Sequence, residues 1–107
     1  MNNRNYINIT SETAMDIIRK YNNILILDVR SKEEFDRGHI PGSINIPVNK
    51  LEQTLNKIND YREKPILVYC ASGGRSPVAV RILLSNGFSN IYHLFRGFHS
   101  WKYPIER

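Results

Sequence analysis

A single cysteine, Cys70, stands among 107 residues. No internal disulfide can form, so a disulfide-stapled secreted scaffold is ruled out and a reducing compartment suits the chain better. Long apolar runs are missing too. Nothing approaches the ~20 consecutive apolar residues of a bilayer crossing, and MNNRNYINIT at the start has no stretch of signal-peptide length. The expected setting is cytoplasmic, with no membrane partner. Metal chemistry finds no footing: His39, His93 and His99 lie far apart, and neither an HxxxH nor a CxxC spacing occurs. His39 is better used for hydrogen bonding within a loop. Fifteen basic against ten acidic residues leave a formal charge of +5, which favours anionic partners. The basic residues are scattered from Arg4 to Arg107 without a run or an aromatic-rich motif, so no nucleic-acid partner is expected.

What remains is ordinary globular composition, 41% hydrophobic and 23% charged, in a length that suits one domain spanning residues 1–107. No linker, repeat or low-complexity stretch divides it. The small size and the lack of a long apolar stripe favour a monomer.

Strand and helix signals alternate along the whole chain. Tyr6 to Ile9 reads as a strand, with Thr10 or Ser11 capping a helix whose apolar positions, Ala14, Ile17, Ile18 and Tyr21, share one face. Ile24 to Leu27 is a continuous apolar run ending at Asp28, as expected of a strand covered on both sides. Ser31 and Glu34 have capping-box spacing, predicting a brief helix from Lys32 to about Arg37 that stops at Gly38. Gly38 to Pro47 reads as a loop with a short strand around Ile44 and Ile46. Leu51, Leu55 and Ile58 then mark a second amphipathic helix, and Ile66 to Tyr69 a central strand. Val78, Ala79, Ile82 and Leu83 give the next helix its core face, with Asn86 and Gly87 as its stop. Ile91 to Phe95 is the last strand, followed from Gly97 by a turn or short helix that carries Trp101, a core-capping aromatic; Pro104 ends the regular structure. The pattern predicts an α/β fold: a three-layer sandwich with a central, mainly parallel five-stranded sheet flanked by helices. Ligands of such sheets gather at the carboxyl ends of strands, and Asp28 and Cys70 both lie there, sharing one rim.

The chemistry concentrates in Ile66 to Ser76, ILVYCASGGRS. A lone cysteine at a strand end often fills space, but a space filler needs neither the glycines nor the arginine that follow. Gly73 and Gly74 let successive N–H groups curl inward above Cys70. Ser76 suits an N-cap and Pro77 the first helical position, so a helix begins here with its positive dipole end at the loop. Together with Arg75 these features favour an anion at the loop centre. Such surroundings lower a thiol pKa from about 8.5 to roughly 3.5–7.5, making Cys70 a thiolate nucleophile at neutral pH. Asp28 and Arg30, flanking a strand end, are expected to pair and brace the loop, because burying either unpaired is costly.

The loop, Cys70, four residues, Arg75 and Ser76, resembles the active-site loop of rhodanese (thiosulfate sulfurtransferase) domains. LDVRSKEEFDRGHIPGSINIP (Leu27 to Pro47) and FSNIYHLFRGFHSW (Phe88 to Trp101) resemble the same family in order and spacing, and together the segments span most of the chain. One departure stands out. The family commonly has a glycine pair before the segment ending in tryptophan, whereas here Arg96 precedes Gly97, which leaves the shape of the site entrance open; Arg96 adds positive potential there or is simply a solvated surface residue.

The resemblance implies transfer of sulfane sulfur. Cys70 attacks the outer sulfur of a small anionic donor such as thiosulfate, sulfite leaves, and a thiol, cyanide or protein acceptor takes the sulfur from a Cys70 persulfide. No cofactor is implied. The N–H groups from Ala71 to Ser76, with the Ser72 and Ser76 hydroxyls, stabilise the anionic persulfide, and no general base is nominated. The DxR element Asp28 to Arg30 resembles the family's loop support. Two alternatives stay open: a persulfide carrier or docking module in a sulfur relay, and a related cysteine-dependent phosphatase or arsenate reductase. Phosphatases of that kind place five residues between cysteine and arginine, and the four here, Ala71 to Gly74, favour sulfur.

Overall fold

A computed structural model describes residues 6–107; Arg4 and the rest of residues 1–5, read above for charge and for a signal segment, lie outside them. The five strands are β1 (Tyr6–Ile9), β2 (Leu25–Asp28), β3 (Ile44–Asn45), β4 (Ile66–Tyr69) and β5 (Ile91–Leu94). All pair in parallel, in the order β1-β5-β4-β2-β3. The α-helices are α1 (Ser11–Lys20), α2 (Lys32–Arg37), α3 (Val48–Leu51) and α4 (Ser76–Ser85).

Chain order explains where a site can form. From β2 the chain steps outward to β3, and from β4 it steps the other way to β5, so the connections leaving β2 and β4 diverge. Divergence opens a crevice at the carboxyl ends of these two strands. Both strands are buried at every position, which is why each reads as an unbroken apolar run.

Strand alternation divides the core into two layers. Leu25, Leu27, Ile66, Val68, Cys70 and Ile91 pack on one face of the sheet with Leu51, Ile58, Ala79, Leu83 and Phe88. Ile26, Leu67, Tyr69 and Leu94 pack on the other with Ala14, Ile17 and Ile40. Burying each large aliphatic side chain contributes about 1.5–3 kcal/mol. One consequence adds to the sequence reading of the rim. Asp28 and Cys70 share an edge of the sheet, but by alternation Cys70 faces α4 while Asp28 turns to the opposite face, where Arg30 lies over the Tyr69 and Phe98 rings.

Capping decides the helix boundaries. Thr10 Oγ1 accepts from the Thr13 N–H at the start of α1. Ser31 and Glu34 form the reciprocal capping box of α2, and Gly38 stops it. Beyond α3 the expected single helix is interrupted. Residues Glu52–Tyr61 form 3-10 turns with non-helical dihedrals at Thr54 (φ −122°) and Ile58 (φ −119°). Thr54 Oγ1 donates back to the Lys50 and Leu51 carbonyls, a local bond that competes with regular helix. Leu51, Leu55 and Ile58 are buried all the same. Strand ends shift by one residue: Ile24 lies outside β2 and Asp28 inside it, while Phe95 lies beyond β5. Past Pro104, Glu106 forms an antiparallel bridge with His39, tying the end of the chain to the loop after α2.

The turn that leaves β5 meets the turn that leaves β4. Phe98 N–H donates to the Cys70 carbonyl (2.8 Å) and His99 N–H to that of Ala71 (2.9 Å). Gly97, at φ 73°, makes this approach possible, since a Cβ there would collide with the Ala71 and Cys70 carbonyls. Gly97→Ala is expected to cost more than about 2 kcal/mol in denaturant unfolding, and Gly74→Ala, whose side chain would meet open space, less than about 0.5 kcal/mol. Equal costs would show that the turn-to-turn approach is not a stabilising feature.

Candidate active site

Cys70 directly follows β4, with only 1% of its surface exposed. Its sulfur is nevertheless not in an apolar slot. Sγ accepts from the N–H groups of Gly73 (3.1 Å) and Ser76 (3.3 Å), and Ser76 Oγ lies 3.3 Å away. The loop closes this tightly because Gly73 sits at φ 98° directly against the Phe95 carbonyl, where a Cβ has no room. Gly74, by contrast, has no such constraint. Burial pushes the Cys70 thiol up, but hydrogen bonds from the Ser76 hydroxyl and from the Ser76, Arg75 and Gly73 amides outweigh it and hold the thiol below its ordinary range.

Ser76 departs from its expected part. It is the first residue of α4 rather than its N-cap; Arg75 occupies that position and makes no side-chain cap. The Ser76 hydroxyl is engaged elsewhere, with Cys70 Sγ and with His93 Nε2 at 2.6 Å. Pro77 fits the first turn regardless, where its missing N–H leaves no bond unmade.

Arg75 also points away from the loop centre. Its guanidinium forms a two-pronged pair with Glu34, Nη1 to Oε1 at 2.7 Å and Nη2 to Oε2 at 2.9 Å. Glu34 Oε1 simultaneously accepts from the Ser31 N–H and hydroxyl. The capping box of α2 thus doubles as the anchor for the loop. Of the remaining loop residues, Ala71 and Gly73 are partly buried, and Ser72 and Gly74 are exposed.

Asp28 and Arg30 form a buried pair, with Arg30 Nη2 at 2.6 Å and Nε at 3.1 Å from Oδ2. Arg30 Nη2 also donates to the Gly38 carbonyl (2.7 Å). Its guanidinium carbon lies 4.4 Å from the centre of the Phe98 ring, next to the backbone bond that holds Cys70. The pair therefore braces the loop through the turn after β5 and does not reach the sulfur. His39 Nδ1 bonds the Phe35 carbonyl (2.8 Å), and Arg96 is exposed beside the Phe95 ring. Trp101 packs on the core layer that holds Ile17, Ile26 and Tyr69, its Nε1 donating to the Pro104 carbonyl. Among the described residues no cluster of three or more His, Cys, Asp or Glu side chains could hold a metal, and no helix is long and apolar enough to cross a membrane.

Two residues of the site escaped sequence reading. His93, 4% exposed, bonds Ser76 through Nε2 and Asn8 Oδ1 (2.9 Å) through Nδ1, and burial holds it below the ordinary imidazole range. A signal existed. His93 is in register with Val68, two residues before Cys70 on the same face, and with Asn8 on its other side. Once β5 is placed beside β4, alternation alone turns His93 toward Cys70's layer. A cavity of about 590 Å³ runs along this side, between Gly73, His93, Arg81 and Tyr6. A smaller one of about 280 Å³ lies on the opposite flank of the loop, between Ala71, Arg37 and His99.

A parallel sheet whose central strand delivers a cysteine into a closed amide loop is a rhodanese-like arrangement, and comparison with known proteins agrees. The family model for the Rhodanese-like domain matches residues 10–103, and the chain belongs to that family. It is 33% identical over 97 residues to the thiosulfate sulfurtransferase GlpE of Coxiella burnetii, covering 91% of this chain and 88% of that one. The putative sulfur carrier protein YrkF of Bacillus subtilis is 38% identical over 81 residues, 76% of this chain but 43% of that protein. Among solved structures, one from Staphylococcus saprophyticus superposes with a TM-score of 0.82 at 31% identity, covering 94% of this chain and 99% of that one.

The ion pair yields a pH signature. Arg75 holds the Glu34 carboxyl down, from 4.5 to about 2. A lowered carboxylate stabilises the fold above its unfolded pKa and loses that stabilisation as pH falls through the folded one. Allowing for solvent screening of this partly exposed pair, about 1–2 kcal/mol is expected to disappear between pH 4.5 and about 2. Glu34→Gln is expected to flatten this acid limb in urea titrations. An unchanged limb would mean that the pair contributes nothing to stability.

Proposed function

We propose that the protein transfers sulfane sulfur through a persulfide on Cys70. The observation that carries this reading is the pair of main-chain N–H groups, from Gly73 and Ser76, directed at Cys70 Sγ. They favour the thiolate that attacks and, after it, an anionic sulfur chain at the same place. In the first half-reaction the thiolate attacks the outer sulfur of thiosulfate. A bond forms between Cys70 Sγ and that sulfur, the bond to the sulfonate breaks, and sulfite leaves with its electron pair. In the second, an acceptor thiolate or cyanide takes the outer sulfur and the Cys70 thiolate returns. Charge balances at both steps without a cofactor.

Geometry supports sulfur over phosphate as the transferred group. The loop is pinned on two sides, at Gly73 by the Phe95 carbonyl and at Ala71 by the His99 N–H. With four residues between Cys70 and Arg75 and the guanidinium held by Glu34, little remains to clasp a tetrahedral phosphoryl group. Arg37, bordering the smaller cavity beside Ala71, offers positive charge for the sulfonate end of a donor, and His99 lines the same cavity. Arg75 acts in this reading through its main chain, and its side chain fixes the loop to α2.

A relay role is favoured by one observation, the burial of Cys70. A persulfide places its outer sulfur about 2 Å beyond Sγ, in a loop whose Ser72 and Gly74 are exposed, where a partner protein carrying its own thiol can collect it. Faster sulfite release with a protein acceptor than with a small thiol would favour relay over a free-standing enzyme.

Incubation with thiosulfate is expected to add the mass of one sulfur atom to the protein, released on treatment with thiol, with no addition to Cys70→Ser. No added sulfur together with hydrolysis of an aryl phosphate would replace sulfur transfer by phosphatase chemistry.

A further inference from the structure

The sulfur-transfer reading leaves one buried titratable side chain unused. His93 sits at the end of a hydrogen-bonded chain that starts at the nucleophile: Cys70 Sγ to Ser76 Oγ (3.3 Å), Ser76 Oγ to His93 Nε2 (2.6 Å), His93 Nδ1 to Asn8 Oδ1 (2.9 Å). Direction along this chain follows from its far end. An amide oxygen only accepts, so His93 Nδ1 carries the proton and Nε2 presents a lone pair. Ser76 must then donate its hydroxyl proton to Nε2, which leaves its oxygen to accept the Cys70 thiol proton. In the resting thiol state the Cys70 thiol and the Ser76 hydroxyl both donate away from sulfur and toward the imidazole, the polarity of a proton wire.

We propose that His93, acting through Ser76, is the proton acceptor that converts the Cys70 thiol to the nucleophilic thiolate. The thiol proton moves to Ser76 Oγ as the Ser76 hydroxyl proton moves to His93 Nε2, so thiol and neutral imidazole become thiolate and imidazolium. Ser76 ends with a hydroxyl proton, and with His93 Nε2 now donating to its oxygen it turns that proton to the new thiolate. Asn8 Oδ1 keeps Nδ1–H oriented throughout, and the Gly73 and Ser76 amides hold the charge left on sulfur. From His93 the proton has a way out, because the imidazole borders the cavity of about 590 Å³ on the far side of the loop from Arg37 and His99. The donor and the leaving proton would thus use opposite flanks.

The groups that face His93 agree with this part. From β1 come Asn8 and the edge of the Tyr6 ring, 6.5 Å between centroids; from α4 come Ser76 and, across the cavity, Arg81, the one charged side chain lining it among the described residues; from β4 comes Cys70 through Ser76. Among the described residues no carboxylate borders that cavity. Burial keeps the ring neutral before the thiol ionises, and a neutral ring is the form that accepts. His93 is a positioning residue, since it reaches the sulfur only through Ser76.

The inference rests on Cys70 being the nucleophile of the proposed sulfur transfer, but its test needs no sulfur donor. The pH dependence of Cys70 alkylation by iodoacetamide is to be measured in wild type, His93→Gln and Asn8→Asp. Loss of the acceptor in His93→Gln is expected to raise the midpoint by about one unit, slowing alkylation about tenfold on the acid side of both midpoints. Asn8→Asp, at an exposed position of β1, puts a carboxylate against Nδ1 and is expected to lower the midpoint by stabilising imidazolium. Opposite shifts support the wire. A midpoint unmoved in both variants, or raised in both, overturns it, because a carboxylate that acted on the thiolate only by repulsion would raise the midpoint. Since Asn8→Asp alters only an exposed side chain, it decides the question even if His93→Gln fails to fold. Wild-type alkylation with the predicted variant shifts but no sulfur gained from thiosulfate would sink the sulfur-transfer reading and leave the wire standing; normal sulfur gain without the shifts would do the reverse.

Discussion

Two main-chain N–H groups meeting at one sulfur atom are the contact on which the rest of this molecule turns. They reach Cys70 only if the backbone after β4 doubles back within three residues, and that requires Gly73 at positive φ with no side chain, pressed against the Phe95 carbonyl. Gly97 answers from the other side, letting the chain after β5 come close enough to bond the Cys70 and Ala71 carbonyls. Two turns, each held by a glycine in the other's path, form one rigid rim. The buried Asp28–Arg30 pair supports that rim under Phe98, and the Arg75–Glu34 pair ties it to α2. None of these side chains hydrogen-bonds the sulfur, so their main part is geometric.

Removing a thiolate from water is unfavourable, and at 1% exposure Cys70 feels most of that penalty. Hydrogen bonds to a charged acceptor contribute about 1.5–3 kcal/mol each, and one pKa unit corresponds to about 1.4 kcal/mol. Main-chain amides and a hydroxyl therefore carry the reversal of the shift, with Arg75 adding a smaller coulombic attraction. That balance explains why Arg75 can be given over to Glu34. It also explains why the thiol is lowered in so enclosed a place, where a cysteine surrounded only by apolar groups would be inert.

Much of this was legible in the residues. Unbroken apolar runs marked β2 and β4, the Ser31 and Glu34 spacing marked the capping box, and the cysteine followed by glycines, arginine and serine marked the loop. What stayed hidden depends on contacts between distant parts of the chain. Arg75 finds Glu34 across 41 positions, and Asn8 meets His93 across 85, so neither partnership leaves a local pattern. The same limit applies to Ser76, whose hydroxyl looks like a cap in sequence but turns inward once Cys70 and His93 are brought beside it. The break at Thr54 was hidden for another reason: apolar spacing records which side chains are buried, not whether the backbone between them stays helical.

The central claim, that the Gly73 and Ser76 amides hold this sulfur below the ordinary thiol range, is most directly tested by the thiolate absorbance of the wild-type protein titrated over pH. Cys70 is the only thiol in the chain, so the signal is unambiguous. The account predicts a midpoint clearly below the ordinary value of about 8.5 that does not move with added salt, because buried dipoles are not screened. A midpoint at or above the ordinary value would contradict it.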